Sequence, residues 1–117
     1  MSTRARREAQ GRRGEWLAAW YLRLKGWRIL ARRFKTARGE IDLIARRGRV
    51  VAFVEVKWRD RAEERDLAID AWRLRRVVAA AEAVAHRFAR PGDDQRIDVL
   101  LLAPGRLPRH IVNATLA

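Results

Sequence analysis

Hydrophobic and polar positions change period several times along the chain, and each change marks an element. Ile41, Leu43 and Ala45 alternate with Asp42 and Ile44, Arg46-Arg47-Gly48-Arg49 breaks the pattern, and Val50 to Val56 is a β-branched, mostly apolar run. That pattern predicts a hairpin whose second strand is apolar on both faces and belongs mid-sheet, covered on both sides. Ahead of it, a helix is expected from about Arg7 or Gly14 to Lys25, closed by Gly26. Trp27 to Phe34 then reads as a strand with Trp27, Ile29 and Ala31 on one side. Beyond the hairpin come a charged connector from Trp58 to Arg65 and a long helix from Asp66 or Leu67 to Arg90. Leu74, Val77, Val78, Ala81, Val84, Ala85 and Phe88 form the apolar stripe of that helix. Arg96–Leu102 and Arg109–Leu116 read as two further strands, the last at an edge. The order αβββαββ is that of an α/β chain, a central mixed sheet flanked by helices.

Within the first helix the apolar residues divide into two arcs. Trp16, Trp20, Tyr21 and Leu24 lie on one, while Ala18 and Leu22 share the other with Gly11 and Glu15. Small residues on the second arc allow a close approach to the sheet, which aims Glu15 inward toward Asp42. The competing reading pairs Glu15 with arginines on the surface.

Charges at the end of an otherwise apolar strand need a reason. Glu55 and Lys57 are two apart and share a face, about 6 to 7 Å from one another along the strand. Hairpin loop length decides whether Asp42 joins them. A two-residue loop containing Gly48 is the favoured closure; it sets Asp42 beside Glu55, within roughly 5 to 8 Å, and brings Glu40 to the same side. Two carboxylates at that separation suit Mg²⁺ or Mn²⁺, with Lys57 placed to orient an attacking water. The bland alternative is a solvated Glu55–Lys57 ion pair at a frayed strand end.

Gly39-Glu40-Ile41-Asp42 followed by Phe53-Val54-Glu55-Val56-Lys57 resembles the signature of the PD-(D/E)xK nuclease superfamily. More narrowly, it is similar to the YraN family of uncharacterised proteins, themselves similar to archaeal-type Holliday-junction resolvases. Gly14-Glu15, Gly26-Trp27, Ile97-Asp98-Val99 and His110 to Ala114 extend the likeness over most of the chain. The resemblance implies a restriction-endonuclease-like fold, with Asp42 and Glu55 as metal ligands and Asp42, Glu55, Lys57 and Glu15 as catalytic residues. Two positions depart from the pattern: Ile41 stands where the superfamily has proline, and Arg73 where the family tends to carry lysine.

Charge then narrows the partner. The 117 residues carry a net charge of +13, mostly from arginine, with 35% charged and 49% apolar residues. This is an ordinary globular composition with an excess of cations, and it points to nucleic acid or another polyanion; the resemblance to nucleases implies DNA ahead of RNA. Arg33, Lys35, Arg38, Arg59, Arg73 and Arg76 are the expected phosphate contacts. Residues 1–13 read as a basic, mobile arm and 14–117 as one nuclease-like domain. The chain has no cysteine, which excludes disulfides, thiolate zinc sites and cysteine nucleophiles. With neither a secretory signal nor an apolar run long enough to span a bilayer, a cytoplasmic protein without membrane partners is expected. The combined reading is a metal-dependent, structure-selective DNA endonuclease, with a homodimer suited to symmetric junctions. The alternative is a non-catalytic nucleic-acid-binding protein on the same fold. Asp98 and His110 read as a structural ion-pair acid and an edge-strand polar residue.

Overall fold

The strand at the centre of the sheet is the one whose sequence has no polar face. In the computed structural model, which describes residues 3–58 and 71–114, the elements run α1 (Thr3–Leu24), β1 (Arg28–Thr36), β2 (Gly39–Arg47), β3 (Val50–Trp58), α2 (Ala71–Phe88), β4 (Asp94–Leu102) and β5 (Arg109–Ile111). The sheet order is β1-β2-β3-β4-β5. Only β3 and β4 pair in parallel, and α2 lies in the crossover that a parallel pair requires. This is the expected αβββαββ order and a restriction-endonuclease-like fold.

One helix covers each face. Ala18, Ala19 and Leu22 of α1 pack on Leu43, Ala45, Ala52, Val54, Leu100 and Leu102. Val77, Ala80, Ala81 and Val84 of α2 pack on Ile41, Ile44, Val51, Phe53 and Ile97. Alternation along β3 therefore feeds two cores at once, which is why it reads as a continuous apolar run. Among the described residues no helix is long and apolar enough to cross a membrane.

α1 starts at Thr3, so the segment read as a basic arm is helical from there on, and the helix precedes the expected start at Arg7 or Gly14. The stretch lacks apolar periodicity, but Ala, Arg, Glu and Gln are good helix formers, and the buried turns at Ala18 and Leu22 anchor the helix downstream. The expected start of α2 at Asp66 or Leu67 lies outside the described residues. β5 stops at Ile111, shorter than expected, and Asn113 follows with left-handed backbone at φ 55°.

The predicted small-residue arc of α1 is the one that meets the sheet. Gly14 is buried, and a Cβ placed on it would lie 3.4 Å from Leu102, 3.7 Å from Trp58 and 3.8 Å from Val56. Those are ordinary contacts. Gly14→Ala should therefore fold normally and gain up to about 1 kcal/mol from helix propensity, whereas Gly14→Val should push the helix off the sheet and cost about 1–3 kcal/mol. Urea denaturation of the two variants checks this; equal losses would show that the approach is not limited by that side chain.

β1 and β2 carry two irregularities. Ile29 pairs with Ala45 and Ala31 with Ile44, so Leu30 is an extra residue, a bulge. It sends Ala31 into the α2-side core, away from Ile29 on the α1 side, and corrects the expectation that the two share a face. The second irregularity lies at Arg33, whose backbone is left-handed at φ 49°. Beside it Leu43 faces α1 and Ile41 faces α2, although residues two apart on a regular strand share a face. The sheet rolls over there, and Asp42 is at the pivot.

Candidate active site

Asp42 is brought to Glu55 by the hairpin. Arg47 pairs with Val50 and Leu43 with Val54, leaving Gly48-Arg49 as a two-residue loop with Gly48 at φ 60°. Glycine at the first loop position with positive φ is the hairpin geometry whose twist matches the strands. This is the even register, with Asp42 and Glu55 next in line after Leu43 and Val54. The paired positions of β2 and β3 end at Leu43 and Val54. The following Val56 N–H donates to Asp42 Oδ2 at 2.8 Å, so a side chain replaces the backbone carbonyl and the strands part.

That parting opens a cleft reachable from both layers. On the α1 side Gly11, Gly14 and Glu15 line it with Asp42 and Glu55. On the α2 side Gly39, Glu40, Arg76 and Val77 surround the same two carboxyls. Glu15, Glu40 and Asp42 each offer an oxygen, all within 4.8 Å of one another. Glu55 stands beside this trio, and its Oε1 is 4.0 Å from the buried Lys57 Nζ.

So dense a group of acids is electrostatically costly without a cation. Burial, then repulsion from Glu55, raise Asp42 from 3.8 to about 7, although the Val56 N–H opposes them. Its hydrogen bond with Glu55 and the charge of Glu40 push the same way. Burial also raises Glu15, against the hydrogen bond from Arg33. The Arg33 Nε donates to Glu15 Oε1 at 2.5 Å, from the residue whose backbone is left-handed. Glu15 therefore points inward and has an arginine partner at once, which combines the two readings of its sequence position.

All four expected catalytic residues, Asp42, Glu55, Lys57 and Glu15, converge. The trio of oxygens within 4.8 Å of one another includes Glu40, a residue outside the expected ligand set. Its signal was present in the even loop, which carries Glu40 to the Asp42 side. Of the expected phosphate contacts, Arg76 lines the cleft, Arg33 is paired with Glu15, and Lys35 and Arg38 are exposed on the β1–β2 hairpin beside Gly39 and Glu40. Arg59 and the side chain of Arg73 lie outside the described residues. Trp58 packs into the α1-side core, and His86 is exposed.

Asp98 belongs to a different arrangement. Its fully buried carboxylate accepts from Arg96 Nε at 3.1 Å and Nη2 at 2.8 Å, and from the Asn113 N–H at 2.9 Å. His110 Nε2 lies 2.7 Å from Oδ2. Burial raises its pKa, but the bonds from His110, Arg96 and Asn113 outweigh it and hold the carboxyl below 3.8. A depressed carboxyl stabilises the fold above its unfolded pKa, and that contribution disappears as pH falls through the lower folded value. Removing the acid leaves a partly buried guanidinium and imidazole without their anion. Asp98→Ala should therefore cost about 3–5 kcal/mol, read by denaturant unfolding at neutral pH; a loss below about 1 kcal/mol would refute a structural role.

A profile of the uncharacterised protein family UPF0102 matches residues 14–102, the span holding Glu15, Glu40, Asp42, Glu55 and Lys57. The chain belongs to the UPF0102 family. UPF0102 proteins of Sphingopyxis alaskensis and Erythrobacter litoralis are 68% identical over 111 residues and 65% identical over 107 residues. The first match covers 95% of this chain and 96% of the relative, and the second 92% of each. A UPF0102 protein of Chelativorans is 50% identical over 114 residues, covering 95% of this chain and 90% of its own length. The cleft between β2 and β3 thus lies within the UPF0102 match, as do the charged residues that line it and the neighbouring Lys57.

Proposed function

We propose that this UPF0102 protein is a metal-dependent, structure-selective DNA endonuclease. The observation that carries the reading is the cluster of Glu15, Glu40 and Asp42 oxygens within 4.8 Å, beside Glu55 and the buried Lys57. The donor set fits Mg²⁺ or Mn²⁺: it is all oxygen, hard and anionic, with no cysteine in the chain. A divalent ion there would supply Lewis-acid polarisation of a phosphoryl oxygen.

The chain's own residues account for the remaining requirements. Glu55 is an acceptor for the proton of an attacking water, and Lys57, 4.0 Å from it, can hold that water or neutralise the charge that develops on the phosphate. Arg76 at the cleft, with Lys35 and Arg38 on the adjoining hairpin, can fix the flanking phosphates as charge-assisted contacts. The raised pKa of Asp42 supports a site built to receive positive charge, since a cation would favour its ionised form.

The test is a panel of branched, flapped, single-stranded and linear DNA substrates incubated with and without Mn²⁺, comparing the parent protein with Lys57→Met. Cleavage of branched DNA that requires Mn²⁺ and is lost in the variant is the expected result. Absence of cleavage across the panel, with binding intact, would reject the enzyme in favour of a binding protein.

A further inference from the structure

The outer face of α1 has no role in the cleft chemistry, yet its composition is unusual for a solvated surface. Trp16 is 54% exposed, Trp20 47% and Leu24 83%. Trp16 and Trp20 are one turn apart with ring centroids 6.3 Å from one another and an edge-on orientation. The Arg23 guanidinium lies 5.2 Å from the centroid of the Trp20 ring. Arg12 and Arg13 are exposed one turn before Trp16, so cations bracket the aromatic pair along about 16 Å of helix. Glu15 is the one acidic side chain described on this helix; it is turned into the cleft and paired with Arg33.

We propose that this ridge is a stacking platform for unpaired bases of the nucleic acid whose backbone enters the neighbouring cleft. The inference rests on the nucleic-acid reading above and adds the substrate's form: single-stranded or splayed DNA next to the cut site. Three features select this occupant. Apolar faces alone would suit many partners, but the interleaved arginines demand a polyanion that also carries flat apolar groups. Single-stranded nucleic acid has both, and indole faces stack bases without regard to sequence. A second copy of the chain docked through the same face would bring like charges together, Arg12, Arg13 and Arg23 against their own counterparts. Position completes the case: Trp16 directly follows Glu15, a cleft residue, with its Cα about 3.8 Å away. A strand running through the cleft would have its bases within reach of the ridge.

Binding is measured with the full chain in EDTA, where cleavage plays no part, using a single-stranded oligonucleotide and a blunt duplex. Trp16→Ala/Trp20→Ala should weaken the single strand at least about tenfold and the duplex by no more than about twofold. The salt dependence should keep its slope, because no phosphate contact is removed. Trp16→Phe/Trp20→Phe should retain most of the single-strand affinity. In an independent measurement on the parent, an oligonucleotide carrying 5-iodouracil should photocrosslink to the peptide containing Trp16 and Trp20. Equal losses on both ligands, no loss on either, or crosslinks confined to other peptides would overturn the proposal. So would a parent dimer that the alanine pair converts to monomer, since a second copy would then be the occupant. Cleavage by the parent with unchanged binding by the alanine pair would leave the endonuclease standing and remove the platform. A selective loss of single-strand affinity in a protein that cleaves nothing would do the reverse.

Discussion

Asp42→Asn should abolish metal-dependent cleavage and, at the same time, make the metal-free protein more stable at alkaline pH. The two effects have one cause. Asp42 is held near 7 instead of 3.8 by burial and by repulsion from Glu55, so the folded protein takes up a proton that the unfolded chain releases. Stability of the metal-free protein therefore falls as pH rises from about 4 to about 7. Asparagine cannot ionise, and its Oδ1 can still accept from the Val56 N–H. The variant should exceed the parent by on the order of 2 kcal/mol at pH 8, with the gap closing toward pH 5. Mn²⁺ should raise the parent's melting temperature but leave the variant's nearly unchanged, and the parent's Mn²⁺ affinity should weaken as Asp42 protonates below about pH 7. Cleavage should fall by on the order of a thousandfold. Thermal melts across pH 5 to 9, with and without Mn²⁺, decide the matter. Parallel pH profiles for parent and variant would show that Asp42 does not carry the site's electrostatic strain.

Much of this site could be read before any coordinates, because it depends on short-range rules. Gly48 and the lengths of the two flanking runs set the hairpin register, and the register alone puts Asp42 opposite Glu55 and sends Glu40 to the same side. The two arcs of α1 followed from helical spacing, which left Glu15 between an inward aim and a surface pairing with arginine and did not say that the Trp16–Trp20 arc would be exposed. What could not be read involves departures from strict period. The bulge at Leu30, the left-handed Arg33 and the roll at Asp42 all break the alternation on which a strand is recognised. Asp98 marks another limit. Its role as a structural ion-pair acid was legible, but its partners His110 and Asn113 come from beyond the next turn, so which groups would surround the buried carboxylate was not. The early start of α1 escaped for a different reason: residues 3–13 are held helical by propensity and downstream packing rather than by an apolar stripe of their own.

Lys57 allows a sharper separation of chemistry from structure. Its side chain is 1% exposed and its Nζ lies 4.0 Å from Glu55 Oε1, and burying an ammonium costs several kcal/mol unless nearby charge offsets it. If that offset were its whole purpose, Lys57→Met would act through folding alone. Residual activity would then track the folded fraction, and excess Mn²⁺ would restore it by binding the native state. A lysine that holds the attacking water or the phosphate gives another result. Methionine keeps the length and packing of the side chain but withdraws a positive charge from beside the acids, so Mn²⁺ should bind as tightly as in the parent or more tightly. Cleavage should nevertheless drop by about 10²- to 10⁴-fold, in kcat rather than KM, with no recovery at saturating Mn²⁺. Lys57→Arg should fail to rescue it, because a planar guanidinium cannot occupy a buried space shaped for an ammonium. Single-turnover cleavage at saturating Mn²⁺, alongside Mn²⁺ titration of the folded variant, separates the two roles. Full recovery with added Mn²⁺ would reduce Lys57 to a counter-ion.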